Sequence, residues 1–157
     1  MITAVDTNVL LDILIPDPQY KDISRSYLER GMKEGALIMC ELVYSELSAL
    51  LPKKKDLDRF LEDIGVALKS STPDSLYKAG EAWKEYLKRR GSEVQCPACG
   101  NKMRITCNQC GRLLSRKHIM SDFIIGAHAS VLADILITRD RGIYRTYFKG
   151  LTLNFGD

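Results

Sequence analysis

Ala36-Leu-Ile-Met-Cys40 is an unbroken apolar run of strand length, and a strand apolar on both sides needs cover on both faces. The same pattern recurs at Ile2–Val5, Val66–Leu68, Ile135–Thr138 and Leu151–Leu153. Between these runs the period changes to that of helices. Lys21 to Lys33 puts Ile23, Tyr27, Leu28 and Met32 on one side, with Gly31 and Gly35 at its end. Further helices are expected over Val9–Ile15, Glu41–Leu51, Leu57–Ile64, from Ser71-Thr72-Pro73-Asp74 to about Arg90, from Ser121-Asp122 to about Ala133, and as a turn over Ile143–Phe148. Short apolar strands alternating with helices predict an α/β fold of three layers, α/β/α, around a mostly parallel central sheet.

The stretch from Gly91 to Lys117 breaks that rhythm. It is polar, holds four of the five cysteines and has no helical period. The expected organisation is therefore one α/β domain made of residues 1–90 and 118–157, with 91–117 inserted. Cys96-Pro-Ala-Cys99-Gly and Cys107-Asn-Gln-Cys110-Gly are two CxxCG knuckles. Two residues between cysteines let both sulfurs reach one ion, and the glycine turns the backbone so that amides point at the thiolates. Two knuckles make a tetrahedral four-sulfur site, read here as a zinc ribbon with one structural Zn²⁺. Iron in a rubredoxin-like site and a redox CxxC pair are the alternatives. Cys40, within an apolar run, reads as core.

Acids stand where a parallel sheet would gather them. Asp6 directly follows the first strand, Asp122 opens a helix, and Asp140 lies two residues beyond Thr138. Glu46 sits in the helix after the Ala36–Cys40 strand, where Glu41 is its competitor. Residues just past the C-terminal ends of parallel strands line one edge of the sheet. Carboxylates gathered there repel one another unless a cation lies among them, and a hard divalent ion with oxygen ligands suits the set. Asp12 and Asp134 read as structural or solvated acids, His128 as packing and His118 as a surface residue.

Val-Asp6-Thr7-Asn8-Val-Leu-Leu resembles the opening motif of PIN-domain nucleases. Ser-Glu46-Leu resembles the second acidic motif of that family, and Ser-Asp122-Phe-Ile-Ile-Gly-Ala-His-Ala its third. Ile-Leu-Ile-Thr138-Arg-Asp140-Arg-Gly-Ile-Tyr resembles the fourth. The four occur in family order over residues 2 to 148. The resemblance implies a metal-dependent endoribonuclease, often the toxin of a VapC-type toxin–antitoxin pair. Asp6, Glu46, Asp122 and Asp140 would hold one or two Mg²⁺ or Mn²⁺ ions. Thr7, Asn8 and Thr138 would keep those ligands in place through hydrogen bonds. The inserted knuckles are a departure from compact toxins and are similar to those of RNA-processing PIN proteins.

The formal net charge of +3 says little about partners, but its distribution says more. Between Lys84 and Lys117 basic residues outnumber acids strongly, and Lys102, Arg104, Arg112, Arg116 and Lys117 are candidate RNA contacts. The plain alternative is a solvated helix end with ribbon loops, the ribbon being only a metal staple. No signal peptide and no apolar run of roughly 20 residues is recognised, so a cytoplasmic protein without membrane attachment is expected. An antitoxin or ribonucleoprotein partner and a homodimer are compatible with the sequence. A non-catalytic RNA- or protein-binding module and a structure-specific DNA nuclease are the competing functions.

Overall fold

The structure is a computed structural model that describes residues 1–89, 93–95, 102–114 and 120–154. The first half runs β1 (Ile2–Val5), α1 (Thr7–Leu14), α2 (Lys21–Glu34), β2 (Ala36–Met39), α3 (Glu41–Ser48), α4 (Lys54–Asp63), β3 (Val66–Leu68) and α5 (Pro73–Arg89). Four two-residue strands follow: β4 (Val94–Gln95), β5 (Lys102–Met103), β6 (Ile105–Thr106) and β7 (Leu113–Leu114). The chain then returns through α6 (Met120–Leu132), β8 (Ile135–Ile137), α7 (Arg141–Tyr147) and β9 (Thr152–Asn154).

α1 and α7 each start two residues earlier than expected, at Thr7 and Arg141, and two boundaries depart further from the sequence reading. α4 starts at Lys54, before Leu57, because Lys54 reaches Asp58 one turn on at 2.5 Å and Asp56 lies in its first turn. α3 stops at Ser48, short of Leu51. Pro52 disfavours the helical region for the residue before it, and the chain tightens beforehand, Leu50 N–H bonding Leu47 O at 3.1 Å.

The five-stranded sheet has the order β3-β2-β1-β8-β9, and every pairing in it is parallel. Its centre is dry: Ala4, Val5, Leu37, Met39, Leu136 and Ile137 are all buried, which is why these runs carry no polar alternation. With right-handed crossovers, the helices linking β1 to β2 and β2 to β3 cover one face, and those returning to β8 and β9 cover the other. The chain leaves β1 toward β2 but comes back to β8 on its opposite side. The crevice at the C-terminal ends of β1 and β8 is therefore the topological switch point, the place where open parallel sheets bind ligands. Asp6 and Thr138 are the residues that follow these two strands.

Candidate active site

Asp6 is held by the fold from several directions. Its N–H donates to Ile137 O at 3.0 Å, extending the β1–β8 ladder by one rung. Its carboxylate caps α1, Oδ1 accepting Thr7 N–H at 2.7 Å. Oδ2 accepts from Asn8 Nδ2 at 2.7 Å, from the Thr138 hydroxyl at 2.6 Å and from the Tyr144 hydroxyl at 3.2 Å. The side chain is buried, and burial pushes its pKa from 3.8 up to about 6. The hydrogen bonds from Thr138, Thr7 and Tyr144 oppose that rise, while the charge of Asp122 adds to it.

The other acids reach Asp6 through its neighbours. The Thr7 hydroxyl donates to Glu46 Oε2, bringing α3 against the start of α1. Asp140 caps α7, accepting Gly142 N–H at 3.1 Å, and its own N–H donates to Thr138 Oγ1 at 3.0 Å. Thr138 thus joins Asp140 to Asp6 through one oxygen. Asp122 lies in the first turn of α6, near enough to raise the pKa of both Asp6 and Tyr144. Its neighbour Phe123 is fully buried against the rings of Trp83, Tyr86 and Tyr147, at centroid distances of 5.2, 5.4 and 5.3 Å. Such ring pairs are worth about 0.5–1.5 kcal/mol each beyond their buried area, and here they pin the start of α6 between α5 and α7.

Glu41, the competing second acid, is engaged elsewhere: it accepts Ser71 N–H at 2.9 Å and the Ser71 hydroxyl at 3.0 Å, tying down the loop before α5. Asp134 accepts Ile2 N–H at 2.7 Å at the opposite end of β1. His128 is buried, with Nε2 2.7 Å from Lys69 O, and burial lowers its pKa. Cys40 is core, burial pushing its thiol pKa up.

Among the described residues no three Asp, Glu, His or Cys side chains are drawn together tightly enough to cage a metal ion. Glu46 is engaged by the Thr7 hydroxyl and Asp140 by Gly142 N–H. The donor set nevertheless fits a hard divalent cation. It is all oxygen, its central carboxylate is fixed by hydrogen bonds, and that carboxylate is penalised by burial and by a neighbouring negative charge that a cation would offset. Sequence reasoning had no role for Tyr144, whose hydroxyl is buried against Asp6 and whose pKa burial drives well above its ordinary value. Its only signal was its place one turn after Asp140.

The sequence profile of the PIN domain matches residues 3–149. The chain belongs to the PIN domain family. Solved structures agree on the fold. VapBC2 from Rickettsia felis, bound to a DNA fragment from its promoter, superposes with a TM-score of 0.62 at 19% identity, covering 98% of each chain. VapBC-1 from nontypeable Haemophilus influenzae gives 0.61 at 18% identity over 99% of this chain and 98% of that one. FitAcB from Neisseria gonorrhoeae gives 0.58 at 17% over 99% and 97%. No curated protein sequence matches the chain.

In this PIN domain the four short strands described between α5 and α6 pair two by two, antiparallel. β4 pairs with β5 (Gln95 opposite Lys102) and β6 with β7 (Thr106 opposite Leu113). The second hairpin carries Cys107 and Cys110 at its tip. Cys107 N–H donates to Arg112 O at 2.8 Å, Gly111 N–H to Cys107 O at 2.9 Å, and Gly111 has φ +67°, a conformation that suits glycine. Backbone N–H groups of Cys110 and Gln109, with the Cys110 side chain, lower the Cys107 pKa. Amides aimed at a sulfur are what a CxxCG knuckle should provide. Cys96, Cys99, Arg116, Lys117 and His118 lie outside the described residues. Of the candidate RNA contacts, Arg104 and Arg112 are exposed, and Arg104 stands 3.9 Å from Glu93. Lys102 lies on β5. No helix among the described residues is long and apolar enough to cross a membrane.

Proposed function

We propose that this PIN domain is a metal-dependent endoribonuclease. The observation that carries the reading is the placing of Asp6: a buried, multiply hydrogen-bonded carboxylate at the switch point of the sheet, tied through Thr7 to the Glu46 carboxylate and through the Thr138 hydroxyl to the backbone N–H of Asp140. Asp6, Glu46, Asp122 and Asp140 are the side chains that would hold Mg²⁺ or Mn²⁺. Such an ion lowers the pKa of bound water and offsets the charge that builds on a phosphodiester during its displacement. The protein's own share is orientation. Thr7, Asn8 and Thr138 fix the Asp6 and Glu46 oxygens through hydrogen bonds.

The inserted hairpins are read as a zinc ribbon over residues 91–117, one Zn²⁺ being held by Cys96, Cys99, Cys107 and Cys110. Support comes from the knuckle geometry at Cys107 and from the way each hairpin brackets one CxxCG. Lys102, Arg104, Arg112, Arg116 and Lys117 on this ribbon would meet the phosphates of the RNA. Thiolates that must stay reduced suit the cytoplasm. The fold neighbours were solved as VapBC and FitAcB complexes, which supports a small antitoxin as partner; an RNA-processing role uses the same chemistry on a different target.

The test is a titration of Mn²⁺ against labelled single-stranded RNA, run beside branched DNA. The reading expects RNA cleavage that rises with Mn²⁺ and stops on chelation. RNA binding without turnover at any Mn²⁺ concentration would make the chain a binding module, and preferential cutting of branched DNA would make it a DNA nuclease.

A further inference from the structure

Arg139 stands between Thr138 and Asp140, yet its side chain turns away from the acids. Its guanidinium pairs with Asp12, Nη2 to Oδ1 at 3.0 Å, and lies over the Tyr20 ring with Cζ 4.4 Å from the centroid. Asp12 is 2% exposed and also accepts the Ser24 hydroxyl at 2.6 Å. Meanwhile the backbone N–H of Arg139 donates to Asn8 Oδ1 at 3.1 Å. Asn8 and Asp12 are four residues apart on α1 and so share one helix face. One residue of the β8–α7 loop is therefore fastened to α1 at two successive turns, by its backbone and by its side chain.

Two attachment points fix orientation as well as distance. Asp6 caps α1, and the loop carries Thr138 and Asp140, so this fastening sets how the two acidic motifs face each other. Asn8 passes the constraint on directly, since its Nδ2 donates to Asp6 Oδ2 at 2.7 Å. A solvated ion pair would add little rigidity. This one is different, because the carboxylate is buried and the planar guanidinium is held against a ring.

We propose that Arg139 is a positioning residue of the active site: by pairing with Asp12 it locks the Thr138–Asp140 loop along α1 and so sets the spacing of Asp6 and Asp140. The inference rests on the metal-dependent nuclease reading above. Removing Arg139 alone strands a buried charge and can unfold the protein, so the informative variant is the double substitution Asp12→Asn with Arg139→Met, which removes both charges. Arg139→Lys, which keeps the charge but not the planar fork, is its companion.

The full chain is titrated with Mn²⁺ alone by calorimetry, well below the melting temperature, and RNA cleavage is followed in parallel. The double variant should fold, bind Mn²⁺ about 10- to 100-fold more weakly and lose kcat, with KM for RNA unchanged. Arg139→Lys should fall between it and the parent. A double variant with parental Mn²⁺ affinity and kcat overturns the proposal, as does one whose only change is a lower melting temperature. A parent chain that neither takes up Mn²⁺ nor cuts RNA overturns the nuclease reading itself, and this inference with it.

Discussion

The Thr138 hydroxyl donates to Asp6 Oδ2 at 2.6 Å, joining the ends of β1 and β8 where the strand order reverses. The same oxygen accepts Asp140 N–H at 3.0 Å and lies 3.3 Å from Asn8 Nδ2. Thr138 is fully buried, so water cannot replace any of these bonds.

Thr138→Val keeps the shape and deletes that oxygen. A buried carboxylate and a backbone N–H then lose a partner, at a cost of about 1–3 kcal/mol each. Urea unfolding should register this as a lower midpoint with unchanged slope, and RNA cleavage should fall by at least ~10-fold. Thr138→Ser should restore most of both. Parental stability and cleavage in the valine variant would remove Thr138 from the account.

The pH dependence of stability carries a signature of Asp6. Its pKa rises from 3.8 to about 6 on folding, so the folded chain binds this proton more tightly than the unfolded chain does. That stabilisation is complete below about pH 4 and is lost as pH rises through about 6, a change on the order of 3 kcal/mol. In metal-free buffer, urea midpoints measured across this window should decline for the parent and stay flatter for Asp6→Asn. Identical slopes in the two proteins would contradict the burial argument.

Gly126 tests how closely α6 must approach α7. A Cβ there would lie 2.4 Å from Phe148 Cε2 and 2.9 Å from Tyr144 Cδ1, both on buried rings with no room to withdraw. Gly126→Ala should destabilise the fold by about 1–3 kcal/mol, read from chemical denaturation. Because Tyr144 must shift, its contact with Asp6 should suffer too. A neutral or stabilising alanine would show that the helices can part without cost.

The choice between two acids on one helix can be settled directly. Glu46→Gln should abolish cleavage while leaving the melting temperature nearly unchanged. Glu41→Gln should cost stability on the order of 1 kcal/mol through the weakened Ser71 anchor, and leave cleavage intact. The reverse pattern, read from melting curves and initial rates, would move the second acid to Glu41.

Much of this arrangement is legible in the residues themselves. Asp6 could be picked out because it ends an apolar run abruptly, and the parallel sheet followed from runs such as Ala36–Met39 that show no alternation. What the sequence hides is pairing over long distance. Tyr144 and Asp6 are 138 residues apart, and nothing local marks a tyrosine on a short helix as a donor to a strand-end acid. Asp12 is left open for a related reason: an acid within an amphipathic helix reads as structural or solvated until its partner is known, and Arg139 arrives from the other end of the chain. The choice of Glu46 over Glu41 rested on neighbouring residues, since helical period alone does not separate two acids five positions apart. Only the Thr7 contact to one and the Ser71 contacts to the other tell them apart.

If Asp6 and its companion acids form one site for a hard cation, calorimetric titration of the full chain with Mn²⁺ will register it. The parent should take up Mn²⁺ saturably and the Asp6→Asn, Asp122→Asn double variant not at all, with the fold of both intact by circular dichroism. Equal uptake by the folded variant would place the cation elsewhere and remove the basis for the nuclease reading.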